Sequence, residues 1–229
     1  MQQPLGEDKR NPDKGLPNWS VREPLARWLE EEGRGVQGLR VLDVGCGDKP
    51  YLPYFAAAAD YVGVDVDNPH ADLQGTIEQL PVEDASFDVV LCLQVLEHVE
   101  DPALAVRELH RVTRLGGRVL ASTHGVQVYH PLPEDHWRWT HTGLERLFNR
   151  NGDWHSLTVT PGAGTCACLG MLFGTYIHLL AKRAHAAWAA RLVNGVVNRA
   201  AAAVDARSHL LREPGPGAMH ANFHVAAQR

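Results

Sequence analysis

Apolar residues gather in short runs set off by glycine, proline and charge, and these runs alternate with longer stretches in which apolar positions recur every three or four residues. The runs at 40–44 (RVLDV), 61–66 (YVGVDV), 87–93 (FDVVLCL) and 118–123 (RVLAST) have the length and β-branched content of buried strands. Before the first, Val21, Leu25, Trp28 and Leu29 share one helical face, with Ser20 as the expected N-cap and Gly33 as the stop. Residues 51–59 fit a short helical crossover. From Asp101, an N-cap followed by Pro102 at the first helical position, Leu104, Val106, Leu109 and Val112 give a second amphipathic helix that Gly116 would end. Strand, helix, strand units of this length imply parallel pairing with right-handed connections, hence a doubly wound α/β sheet.

The pattern then changes. Residues 140–150 read as a helix and 154–160 (WHSLTVT) as a strand, and PGAG at 161–164 breaks the chain. Residues 165–212 are largely Ala, Leu, Val and Arg with helical spacing, which predicts two helices hinged near Asn194 and Gly195. After the breaker at 214–217, the run 221–227 (ANFHVAA) reads as a last strand.

The 229 residues and 45% hydrophobic content suit one domain, expected over 16–229, behind a flexible polar tail at 1–15. A net charge of -5 gives no general attraction to nucleic acid or an anionic membrane, so small-molecule chemistry is favoured. Cys46, Cys92, Cys166 and Cys168 contain no CxxC pair, and the N-terminus lacks the basic-then-apolar order of a secretion signal, so a cytoplasmic setting is expected.

The first strand runs into Asp43-Val44-Gly45-Cys46-Gly47-Asp48-Lys49-Pro50. Two glycines permit a sharp turn and close approach to a ligand, but Pro50 stands where the third glycine of a dinucleotide loop would be. Asp43 and Asp48 flank the turn and disfavour a pyrophosphate, which keeps an NAD-dependent oxidoreductase as a weaker alternative. A phosphate-free nucleoside bearing a cationic centre and an ammonium suits those charges, and S-adenosylmethionine is such a molecule. Asp65, at the tip of the second strand, could take both ribose hydroxyls, with Asp67 as a neighbouring candidate.

VLDVGCG, GVDVD and IEQLPVEDASFDVVLCLQVLEHVEDPALAVRELHRVTRLGGRVL, in that order over about residues 38–160, resemble the class I S-adenosylmethionine-dependent methyltransferases of the small-molecule and quinone branch. The resemblance implies a Rossmann-like, mostly parallel, seven-stranded sheet with an antiparallel last strand. The run at 154–160 then pairs with 221–227, and the helical segment 165–212 is inserted before the closing strand. It implies that Gly45 and Gly47 pass under the methionine part, that Asp65 binds the ribose, that Ile77 and Glu78 sandwich and edge the adenine, and that Gln94 follows the strand position facing the cofactor amino acid, with Asp43, Cys46 and Val66 as further cofactor-binding residues. Thr76 replaces an acid often present in relatives.

Methyl transfer needs an acceptor held in line and shielded from water, and hydroxyl acceptors benefit from a base. The loop 124–143 contains His124, His130, His136 and His141 with Tyr129, Trp137 and Trp139. We take His136 and His124 as candidate base or substrate anchor, and His98, Tyr129, Trp137 and Trp139 as candidate acceptor wall. Glu97-His98 reads equally as a pair in the site or a capping pair outside it. No HxH or HExxH spacing is present, so no metal is expected. The insertion 165–212 is read as a lid with a dimer contact, giving a homodimer as the expected assembly. No membrane span is expected, and a peripheral contact through these helices stays open. O-methylation of a small or medium organic acceptor in biosynthesis is the leading expectation, against a non-catalytic protein of the same fold that binds a partner.

Overall fold

The computed structural model describes residues 7–129, 131 and 134–229. Seven strands, β1 (Arg40–Val44), β2 (Asp60–Asp65), β3 (Leu73–Gln74), β4 (Phe87–Leu93), β5 (Thr113–His124), β6 (Ser156–Pro161) and β7 (Asn222–Gln228), form one sheet in the order β3-β2-β1-β4-β5-β7-β6. The first five run parallel, and β7 lies antiparallel between β5 and β6. This is the expected fold. Strand order reverses between β1 and β4, so the crevice that doubly wound sheets offer to ligands opens at the ends of these two strands.

Alternate residues of the central strands serve the two faces, and both faces are covered. Leu42, Val90 and Cys92 join a core with α3 (Pro102–Val112) and α4 (His141–Asn151), through Val106, Leu109, Leu144 and Phe148. Val41, Val89 and Leu91 pack on the opposite side against Leu25 and Leu29 of α2 (Trp19–Gly33). Each of these leucines is at most 1% exposed, and truncating such a side chain to Ala costs about 2–5 kcal/mol. Asp101 caps α3 as expected, accepting from the amides of Ala103 and Leu104.

Several boundaries differ from the sequence reading. Asn18, not Ser20, precedes α2, and Ser20 lies buried in its first turn with its hydroxyl unpartnered among the described residues. The crossover at 51–59 makes only a 3-10 turn at Leu52–Phe55, a segment too short to repay helix nucleation. The helix from Asp101 stops at Val112, and Gly116 (φ +80°) instead bends β5, whose pairing with β4 jumps from Phe87↔Thr113 to Val89↔Arg118. The two-residue edge strand β3 carries too little pattern to be read from sequence.

The insertion consists of α5 (Thr165–Arg183), α6 (Ala187–Asp205) and the short α7 (His209–Arg212). Its hinge is at residues 184–186, beside His185 at φ +54°, and not at Asn194-Gly195. Asn194 sits inside α6 and is buried against α5 at Gly174, where a Cβ would lie 2.5 Å from its Oδ1. Asp205, at the end of α6, accepts from the amides of Cys166 and Ala167 and so caps α5 across the pair.

The N-terminal segment is tied to this insertion. Residues 7–10 form α1 (Glu7–Arg10), Asp13 pairs with Arg191, and Asn198 donates to the carbonyls of Lys14 and Leu16 at 2.9 Å. Of the tail expected to be flexible, residues 7–15 are therefore pinned, and 1–6 lie outside the described residues.

Candidate functional site

A cavity of about 1050 Å³ opens over the carboxyl ends of β1, β2 and β4. Of the nine expected cofactor residues, Asp43, Gly45, Cys46, Asp65, Val66, Ile77, Glu78 and Gln94 line it, and Gly47 does not. Gly47 acts from the side: its amide donates to Asp65 Oδ2 at 2.9 Å, which fastens the glycine turn to the tip of β2. Gly45 must be glycine twice over. Its φ is +69°, and a Cβ would lie 2.4 Å from Val95 Cγ2.

Asp43, Asp65 and Glu78 bring acidic groups to this half of the cavity, and Lys9 a cation. Asp43 is 2% exposed and accepts from the Tyr61 hydroxyl at 2.6 Å, yet burial outweighs that bond and pushes its carboxyl up to about 7. Asp65 Oδ1 has only long contacts, 3.3 and 3.4 Å, from the amides of Asp67 and Asn68. It therefore retains acceptor capacity for a ligand's hydroxyls, whereas Asp67 does not line the cavity. Gln94 adopts φ +59° at the end of β4, and its amide donates to Ser122 Oγ and Asn222 Oδ1 at 2.8 and 2.9 Å. A non-glycine residue held in that region marks a place where the surroundings dictate the backbone.

The other half contains histidines. His124, at the end of β5, lines the cavity with Nδ1 3.4 Å from Oε1 of Glu97. Glu97 has no exposed surface, accepts from Thr123 Oγ1 at 2.8 Å, and burial lifts its carboxyl to about 7. The Glu97-His98 pair is thus split: Glu97 lies in the protein interior beneath His124, and His98 lines the cavity. His98 Nδ1 is 2.5 Å from the Glu134 carbonyl, and because a carbonyl only accepts, Nδ1 carries the proton and Nε2 is the basic nitrogen of the neutral ring.

Four expected acceptor residues fall outside. His136 is exposed, 3.3 Å from Glu134 and 3.7 Å from Glu100, and its amide donates to the Glu97 carbonyl. Tyr129 is 74% exposed. Trp137 stacks on Trp139 and donates to the Val99 carbonyl, and Trp139 packs into the core with its amide on the His124 carbonyl. The aromatic loop is therefore a brace for the His124 end of β5. His130 lies outside the described residues.

Two groups of cavity residues escaped the sequence reading. Lys9, Pro17, Val21 and Arg22 come from the N-terminal segment and α2. Met171, Thr175 and His178 come from α5 at the i, i+4, i+7 spacing of one helical face, and the Nδ1 of His178 is buried without a partner among the described residues. That spacing was the available signal, but on so apolar a helix it does not separate a lining face from a core face.

Residues 42–121 match the model of a methyltransferase domain. The segment from β1 to β5 is thus similar to a methyltransferase domain. The chain is 34% identical over 114 residues to a ubiquinone biosynthesis O-methyltransferase of Acinetobacter baumannii (strain AYE), covering 42% of this chain and 48% of that protein. It is 34% identical over 116 residues to its counterpart in Pseudomonas aeruginosa (strain LESB58), with the same coverage. The chain thus spans about half the length of the curated relatives it matches. Among solved structures the methyltransferase fold recurs in SpnF, a cyclase (TM-score 0.58, 18% identity, 92% of this chain and 82% of that one). It recurs also in a Haemonchus contortus N-methyltransferase complexed with phosphomonomethylethanolamine and S-adenosylhomocysteine (0.55, 15%, 90% and 52%) and in a Mesorhizobium loti S-adenosylmethionine-dependent methyltransferase (0.53, 16%, 90% and 98%). At these identities the likeness is one of fold.

The residues between β1 and β5 fit S-adenosylmethionine. Asp43 is a buried acid that a sulfonium or ammonium would ionise, Gly45 lets backbone approach a ligand, and Asp65 offers acceptors for vicinal hydroxyls. A pyrophosphate fits less well, since the glycine turn leads into the 3-10 turn at Leu52–Phe55 and not into an α-helix whose N-terminus could hold it.

Proposed function

We propose that this chain transfers the methyl group of S-adenosylmethionine to an oxygen of a small or medium organic acceptor in a biosynthetic pathway. The observation that carries the reading is one continuous cavity, which joins the Gly45 turn and Asp65 to His98, His124 and His178. Its size accommodates a nucleoside cofactor together with a second molecule. When bound, S-adenosylmethionine supplies an electrophilic methyl group on a sulfonium.

The chain's own residues supply position and proton handling. Asp65 and Glu78 hold the nucleoside, and Asp43 offsets the cofactor's positive charge. His124 takes the acceptor's proton, with the Glu97 carboxyl 3.4 Å from its Nδ1. Leu16, Pro17, Val21 and Met171 exclude water from the reacting oxygen. Oxygen is favoured over nitrogen because an imidazole base suits a hydroxyl, and because the bacterial relatives in Acinetobacter and Pseudomonas are named as O-methyltransferases.

Calorimetry with S-adenosylmethionine, followed by transfer of a labelled methyl group to a panel of phenols, catechols, hydroxy acids and amines, tests this. Label in a hydroxylated acceptor supports it. Label only in amines removes the oxygen assignment, and cofactor binding with no transfer to any acceptor favours the non-catalytic alternative.

A further inference from the structure

The closing strand β7 is tied to the cavity wall by a buried polar triangle. Gln94 lines the cavity at the end of β4, and its Nε2 lies 2.8 Å from Ser122 Oγ of β5 and 2.9 Å from Asn222 Oδ1 of β7. Asn222 Nδ2 closes the triangle on Ser122 Oγ at 2.9 Å. Strand pairing sets their places: Ser122 stands opposite Leu93 of β4, and Asn222 opposite His124 of β5. The Gln94 backbone amide donates to the Ser122 carbonyl at 2.7 Å. Ser122 and Asn222 are 0% and 1% exposed, so water does not replace a missing partner there.

A side-chain amide can be turned end for end, and hydrogen counting decides its sense here. With Nε2 inward, Gln94 supplies a hydrogen to two edges of the triangle, and Asn222 supplies the third. With Oε1 inward, either sense of Asn222 leaves two edges between oxygen atoms, and the single Ser122 hydroxyl hydrogen fills one. Turning Asn222 alone opposes two amide nitrogens. A short buried contact without a hydrogen is costly, so the triangle admits one sense of the Gln94 amide. Both Nε2 hydrogens are then engaged inside the protein. Oε1 is the polar side-chain atom that Gln94 has left for the cavity, without a partner among the described residues.

We propose that Ser122 and Asn222 are positioning residues that hold the Gln94 carbonyl oxygen toward the cavity, as an acceptor for the ammonium group of S-adenosylmethionine. The inference rests on the methyltransferase reading above and adds to it the part taken by β5 and β7. Place and charge select the ammonium. Gln94 follows the β4 residues that pair with β1, and the next residue, Val95, lies against Gly45 of the glycine turn. Asp43, near the end of β1, brings a carboxyl to the same part of the cavity. A carbonyl held beside an acid suits a cationic donor, and hydrogen bonds from a charged donor are stronger than neutral ones. A side chain already held in its binding sense loses little freedom when the ligand arrives.

The test is calorimetric titration of the full chain and its variants with S-adenosylhomocysteine, which has the amino-acid part, and with methylthioadenosine, which lacks it. Gln94→Met should weaken S-adenosylhomocysteine by about tenfold or more. Ser122→Ala combined with Asn222→Leu should weaken it by roughly fivefold, because the Gln94 side chain must then be ordered on binding. Methylthioadenosine affinity should change in neither. If the double variant fails to fold, Ser122→Ala alone leaves Gln94 and Asn222 two equivalent ways to pair, one of them competent, and should weaken S-adenosylhomocysteine about twofold. Loss of both ligands in equal measure, or S-adenosylhomocysteine affinity unchanged in every folded variant, overturns the inference and leaves the proposed function standing. A wild-type chain that binds neither ligand removes the proposed function and this inference with it.

Discussion

Glu97 and His124 face each other at the end of β5, with Oε1 of the fully buried carboxyl 3.4 Å from Nδ1 of a ring that lines the cavity. A buried carboxyl beside one nitrogen of an imidazole that lines a cavity is an arrangement that biases the orientation of a base. His124→Ala should therefore lower turnover by roughly 100-fold or more with cofactor affinity unchanged. His136→Ala, on an exposed ring outside the cavity, should change neither. Steady-state rates and calorimetry on both variants check this, and equal turnover in the two would remove the base from this loop.

The same pair gives a pH prediction for stability. Burial raises the Glu97 carboxyl from 4.5 to about 7, so the folded state binds a proton that the unfolded state has released. The associated stability is fully present below about pH 4.5 and is lost as the pH rises through 7. Glu97→Gln should thus leave the unliganded chain near wild-type stability at about pH 5 and make it more stable at about pH 9, by up to ~3 kcal/mol. Urea midpoints at the two pH values measure the difference, and a shift of the same size at both would contradict it.

Cofactor affinity should carry the signature of Asp43. Its carboxyl is raised to about 7 by burial, and a bound cation favours the ionised form. Affinity for S-adenosylmethionine should then rise with pH up to about 7 and level off above it, falling about tenfold per unit on the acid side. Asp43→Asn should bind more weakly with a flattened profile, as read by calorimetry across pH.

Gly45→Ala should cost about 2–4 kcal/mol, part from a left-handed backbone and part from the Cβ pressed on Val95. Adding Val95→Ala should return only the second part. Full recovery in the double variant would mean that the positive φ carries no strain.

The central strands, the Asp101 cap, Gly45 and Asp65 were legible because each rests on local pattern, an apolar run, a glycine pair or an acid at a strand tip, whereas Val66, Ile77, Glu78 and Gln94 came only from the family resemblance. The acceptor side was not legible, because it is assembled from elements far apart in sequence. Trp137 and Trp139 have the composition of a pocket wall, but tertiary packing turns one onto the surface of the other. His178 sits in an Ala- and Leu-rich helix, where a single polar residue gives no sign of which way it faces. The hinge was misplaced because Asn194-Gly195 has the composition of a turn, whereas contact with Gly174 holds it inside a helix.

The most direct test of the central claim is calorimetric titration of the full chain and its Asp65→Ala variant with S-adenosylmethionine, with NAD as the control. The account expects one molecule bound per chain and no NAD binding. In the variant, affinity should fall by about 2 kcal/mol, roughly 30-fold, as charge-assisted hydrogen bonds to the ribose are lost. Absence of S-adenosylmethionine binding to the wild-type chain, or tighter binding of NAD, would contradict it.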